Sequence, residues 1–149
     1  MVGRVAGVPV AFSWSFAGVV LALVALAVSG VAVGIVVGSL AVVTIAALAH
    51  EVAHAVVARR RGFDVHGVVV SLVGGEATWS GATEPAAADV VAITAAGPAA
   101  NALLVCASVP VLDTMWGQLF ASVNLCAALV NLVPAPGLDG WVLWRAVRA

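Results

Sequence analysis

Two of the chain's three histidines stand four residues apart, in His50-Glu51-Val52-Ala53-His54, inside a long apolar run. On a helix, residues i and i+4 share a face, so both imidazoles reach a common point, while the glutamate is rotated about 100° from His50. This HExxH spacing suits a zinc ion: two imidazole ligands, and a carboxylate placed to act on a water molecule beside the metal. Two packing histidines with a chance glutamate between them would read the same. The surroundings separate the two readings. An ionisable residue buried in an apolar span costs about 2.5 kcal/mol or more, so three within five residues require a metal or partners that compensate.

Catalytic zinc takes three protein ligands and keeps one position open. His66 follows an arginine cluster in a strand-like stretch, where a solvated or hydrogen-bonded imidazole is expected. Asp139 is the better third ligand. It lies in Asn131-Leu132-Val133-Pro134-Ala135-Pro136-Gly137-Leu138-Asp139-Gly140, where prolines and glycines break an apolar run. Broken backbone at membrane depth is tolerated where it lines a cavity, and it could turn a carboxylate toward the histidines. A helix-ending loop with a solvated aspartate has the same signature. A second polar intrusion, Gly97-Pro98-Ala99-Ala100-Asn101, interrupts another run; Asn101 can hydrogen-bond between helices, and helix packing alone accounts for it equally well.

The elements that carry these residues are those of a membrane protein. Of 149 residues, 64% are hydrophobic and 9% charged, with a mean hydropathy of +1.19, outside the range of soluble domains. Four apolar segments are expected as transmembrane helices: Phe12 to Val28, Val31 to Ala58, Ala86 to Leu112 and Trp116 to Val133. The first is too long for the apolar region of a signal peptide and is expected to remain as a span. Between the second and third, residues Gly62 to Gly81 carry valines, then Gly74-Gly75 and Thr78-Trp79, which predicts a short β-hairpin. The expected fold is a single all-α membrane domain over residues 1–149, with four spans and that hairpin.

All six basic residues are arginines: Arg4, Arg59, Arg60, Arg61, Arg145 and Arg148. Four spans put all six on one side, which by the positive-inside rule makes both termini cytoplasmic. His54 is then five residues from Arg59 and Asp139 six from Arg145, at similar depth. With a net charge of −1 and no basic stripe, nucleic acid is excluded as a partner. Cys106 and Cys126 lie in apolar runs without CxxC spacing and are expected as buried small hydrophobes.

Together, His50-Glu51-Val52-Ala53-His54, Gly97-Pro98-Ala99-Ala100-Asn101 and Asn131-Leu132-Val133-Pro134 through Leu138-Asp139-Gly140 resemble the site-2 protease family of intramembrane zinc metalloproteases. The similarity extends through Ala55 to Gly62 and Gly74-Gly75, in the same order along nearly the whole chain. The resemblance implies one zinc ion bound by His50, His54 and Asp139, Glu51 as catalytic acid/base, and Asn101 positioning water or stabilising the oxyanion. It also implies a transmembrane protein as substrate. Trp141 departs from the pattern, standing where members often have a second glycine. No regulatory domain interrupts the core, so the small, sporulation-protease-like branch is the nearest description. The Ala- and Val-rich composition suits a bacterial cell membrane.

An unwound substrate would need backbone partners, which the edge of the Gly62 to Gly81 segment could supply; a purely structural hairpin is the other reading. Two further functions compete. A catalytically inactive zinc-binding scaffold would keep the fold, though the intact Glu51 speaks against it. A transporter would use intramembrane polar residues as an ion path, but no inverted repeat accompanies them.

Overall fold

The chain was analysed as a computed structural model that describes residues 3–71 and 74–148. Five helices and a four-stranded sheet follow the order β1 (Gly3–Val5), β2 (Val8–Phe12), α1 (Phe16–Val28), α2 (Val33–Arg60), β3 (Asp64–Ser71), β4 (Gly74–Ser80), α3 (Ala87–Ala107), α4 (Met115–Asn131) and α5 (Asp139–Arg148). A single 3-10 turn at Val109–Val111 precedes α4.

The expected hairpin is present as the antiparallel pair β3 and β4. It is half of a larger sheet. The first span was expected to begin at Phe12, but residues up to Phe12 instead form β1 and β2, and α1 starts at Phe16. The reversal is made by Ala6 and Gly7, both at positive φ (50° and 77°), a backbone region glycine enters without strain. β2 then runs parallel to β3, with Val10 opposite Val68 and Phe12 opposite Val70, giving the order β1-β2-β3-β4. The all-α expectation is corrected accordingly. A three-residue strand and a five-residue strand carry too little alternation to stand out beside an apolar helix.

Alternation nonetheless fixes how the sheet packs. Val8, Val10, Val68 and Val70 point to one face and bury against Ala55, with Ala47 and Leu48 of α2 alongside. Val69, the neighbour on the other face, is exposed. The sheet therefore lies along the half of α2 that carries the two histidines.

α2 and α3 are each long and apolar enough to cross a bilayer, with mean hydropathies of 2.2 and 1.9 over their most apolar windows. Only 22% and 28% of those windows is buried within the protein, whereas a soluble core helix would be covered nearly all round. α1, with 13 residues, and α4, with 17, are shorter. Four spans were expected, and two of the four helices meet the length criterion. Residues 12–15 went to the sheet and its connection to α1, and Leu132 and Val133 lie beyond the end of α4.

Two further expectations are revised. Cys106 and Cys126 are free but exposed on the helix surfaces, because an apolar run of this kind presents most of its small side chains outward. The break after Asn131 leads into a fifth helix, α5, whose first residue is Asp139. At one end of the molecule, Arg59 Nη2 donates to the Ala6 carbonyl at 3.0 Å, and Arg61 Nη1 pairs with Asp89 of α3 at 2.9 Å. The sheet's first turn, the end of α2 and the start of α3 are thus tied together.

Candidate metal centre

α2 supplies His50, Glu51 and His54, all buried at less than a tenth exposure. The helical spacing turns both imidazoles to one side, with ring centroids 4.7 Å apart and planes at 80°. α5 supplies Asp139 from its first position. The bend before it is held by Leu138 N donating to the Ala135 carbonyl and Ala135 N to that of Val133. Two prolines there withhold backbone donors, so helix α4 cannot continue and the chain turns back.

One carboxylate oxygen meets both rings. Asp139 Oδ2 is 3.0 Å from His50 Nε2 and 3.4 Å from His54 Nε2. The opposite ring nitrogens define the state of these atoms. His54 Nδ1 faces the Ile93 carbonyl at 2.7 Å; a carbonyl only accepts, so Nδ1 donates, and in the neutral ring it is Nε2 that carries the lone pair. His50 Nδ1 faces Asn101 Oδ1 at 2.6 Å. Asn101 Nδ2 donates to the Ala46 carbonyl at 3.2 Å and to Asn124 Oδ1 at 2.9 Å, which assigns its oxygen to His50. With both rings neutral, two lone pairs and a carboxylate oxygen converge, an arrangement that a shared positive charge, a proton or a metal ion, holds together.

The donor set fits zinc. Imidazole and carboxylate are zinc ligands, and atoms 2.0–2.1 Å from a tetrahedral ion stand about 3.3 Å apart, a value the two contacts bracket. His50, His54 and Asp139 offer three ligand atoms within 4.8 Å of one another. Each histidine is oriented from behind by an acceptor, as metal-binding histidines are.

The backbone makes room for this arrangement. A Cβ on Gly97 would overlap Nε2 of both histidines, and one on Gly75 would overlap the side chain of Glu51. Glycine at those positions lets α3 and β4 lie directly against the site. Glu51 opens onto a cavity of about 520 Å³ that also touches Ala77 and Trp79 of β4, Val123 of α4 and Val19 of α1. β4 is a terminal strand of the sheet, and Gly75, Glu76, Ala77 and Trp79 on it line this space.

Sequence reasoning placed His50, Glu51, His54 and Asp139 together, and they are together. Asn101 is adjacent but differently engaged. It is fully buried, both of its N–H bonds and its oxygen are committed, and it faces His50 from the side away from Asp139. A direct contact with water or an oxyanion would require it to give up one of these bonds. His66 stays on the exposed sheet surface, 2.8 Å from Ser80 Oγ, as a hydrogen-bonded histidine. Trp141 stacks on Trp144 at 5.0 Å along α5. Asn124 was missed. The available signal was its spacing, two helical turns before Asn131, which marks a polar face on an otherwise apolar helix.

Known proteins share both sequence and fold with this chain. It is 41% identical, over 113 aligned residues and 66% of its length, to a Mycobacterium tuberculosis protein named "Putative zinc metalloprotease Rip3", found in two strains. The chain spans 28% of the length of that relative. Its fold matches a site-2 protease from Methanocaldococcus jannaschii with a TM-score of 0.84, covering 99% of this chain and 70% of the other at 18% identity. The fold of the chain is that of a site-2 protease. No family model matches it. Within a site-2 protease fold, Gly97 and Gly75 are the places where backbone comes closest to the metal-site side chains of this chain.

Proposed function

We propose that the chain is an intramembrane zinc metalloprotease that hydrolyses peptide bonds in or near transmembrane segments of membrane-anchored proteins. The observation that carries this reading is the convergence of His50, His54 and Asp139 beside Glu51 in an apolar cavity. His50, His54 and Asp139 would hold one zinc ion. When bound, zinc supplies Lewis-acid polarisation of a carbonyl and lowers the pKa of water to near neutrality.

The chain's own residues do the rest. Glu51 accepts a proton from the attacking water and returns it to the leaving amide nitrogen as the carbon–nitrogen bond breaks. Asn101 and the Ile93 carbonyl hold the two imidazoles in the tautomer that leaves Nε2 free. The edge of β4 receives the substrate as an added strand, since a helix must unwind before its backbone is accessible. With the apolar faces of α2 and α3 toward lipid, the site would lie at membrane depth and the arginine-bearing ends on the cytoplasmic side.

Zinc content and cleavage of a membrane-anchored reporter test this together. Glu51→Gln is expected to keep zinc and lose cleavage by 10²–10⁴-fold, the usual worth of a general base, while His54→Ala and Asp139→Ala lose zinc. Equal zinc in all four proteins, or undiminished cleavage by Glu51→Gln, would overturn the proposal.

A further inference from the structure

Asn124 lies in the middle of α4, fully buried, and none of the motifs that mark the metal centre contains it. Its Nδ2 donates to the Phe120 carbonyl of its own helix at 2.8 Å. Because a carbonyl oxygen cannot donate, this bond turns Asn124 Oδ1 outward, where it accepts at 2.9 Å from Asn101 Nδ2. The second Asn101 N–H goes to the Ala46 carbonyl, and Asn101 Oδ1 is left for His50 Nδ1 at 2.6 Å. The bonds form a one-way chain of donors, from His50 to Asn101 to Asn124 to the Phe120 carbonyl. Its far end is a group whose polarity is fixed.

The two ends of a side-chain amide are nearly the same size, so packing does not hold Asn101 against a flip. Hydrogen-bond polarity does. A flipped Asn101 would set its oxygen against Asn124 Oδ1 and the Ala46 carbonyl, and would present N–H to His50 Nδ1. His50 would then be driven to the tautomer that protonates Nε2, the atom facing Asp139. Without Asn124, one of the two contacts opposing the flip is gone, and an Asn101 N–H is left buried and unpaired.

We propose that Asn124 is a positioning residue of the metal centre, acting through Asn101 to hold His50 with Nε2 available for the ion. The inference rests on the zinc-site reading above and adds α4 to the elements that build it. Loss of an outer partner of a ligating histidine lowers metal affinity 10–100-fold; Asn124 acts one bond further out, so about tenfold is expected.

The test is a double-mutant cycle on zinc affinity, measured by chelator competition on the parent chain, Asn124→Leu, Asn101→Leu and the double variant. Thermal unfolding of each metal-free protein is followed alongside. Leucine keeps the branched outline of asparagine but is larger, and only the double variant removes both partners of the Asn101–Asn124 hydrogen bond, so the folding cost of each change is read separately from the metal-free unfolding. Asn124→Leu is expected to weaken zinc about tenfold in the parent and to have no further effect in the Asn101→Leu background. Unchanged affinity in Asn124→Leu would overturn the role of Asn124, as would an equal loss in both backgrounds. A parent chain that retains no zinc would instead overturn the metal-centre reading, and this inference with it.

Discussion

A methyl group on Gly97 would overlap Nε2 of both His50 and His54. The residue's place in the Gly97-Pro98-Ala99-Ala100-Asn101 motif thus has a steric origin, because α3 can pass this near the imidazoles only without a side chain there. Pro98 removes the donor to the Thr94 carbonyl, in the turn where the Ile93 carbonyl accepts from His54. Four residues after Gly97, on the same helical face, Asn101 meets His50 from the other side. For Gly97→Ala the expected outcome is a loss of bound zinc together with about 1–3 kcal/mol of stability, the usual cost of overpacking. Metal analysis and thermal unfolding check it, and normal zinc content would show that the close approach of Gly97 is not needed for the site.

At the scale of elements, Asp139 depends on where α5 begins. Gly140 sits against the Leu132 and Val133 carbonyls, where a Cβ would collide with backbone atoms that cannot swing aside. Close apposition of α5 to the end of α4 is what carries Asp139 back to α2, a sequence distance of 89 residues from His50. Gly140→Ala is expected to push α5 outward and weaken zinc as strongly as loss of a ligand, while the HExxH helix stays intact. Comparison with Asp139→Ala by chelator competition provides the measure; tight zinc binding in Gly140→Ala would break the link between α5 packing and ligand placement. Sheet residues act on the other flank, where Gly75 allows β4 to lie against Glu51.

For the molecule as a whole, the outward faces matter most. Leu21, Val24, Leu103, Leu125 and Leu129 are among the large apolar side chains left exposed on α1, α3 and α4. Monomeric soluble proteins rarely leave so many large apolar side chains uncovered, and lipid is a natural solvent for them. The chain is expected to stay in the membrane pellet after an alkaline carbonate wash and to need detergent for release. Release by carbonate alone would rule out an integral location.

The legibility of this protein follows from the range of its interactions. His50, Glu51 and His54 are one helical turn apart, so sequence spacing and helix geometry alone bring them together. Asp139 was legible because a broken helix near the arginines limits the depth at which its carboxylate can sit. The hairpin at 62–81 was legible from its valines, whereas β1 and β2 were not, since β1 is a short exposed strand paired with β2 and the burial of β2 depends on pairing with β3 some 58 residues away, as Val10 does with Val68. The Ile93 carbonyl and the inward reach of Gly97 were invisible for the same reason, and Asn124 showed only as a polar residue two turns before Asn131. Local patterns determined the chemistry the chain carries; which groups hold the two imidazoles from behind was decided by tertiary packing, because hydrogen-bond partners across helices leave no period in the sequence.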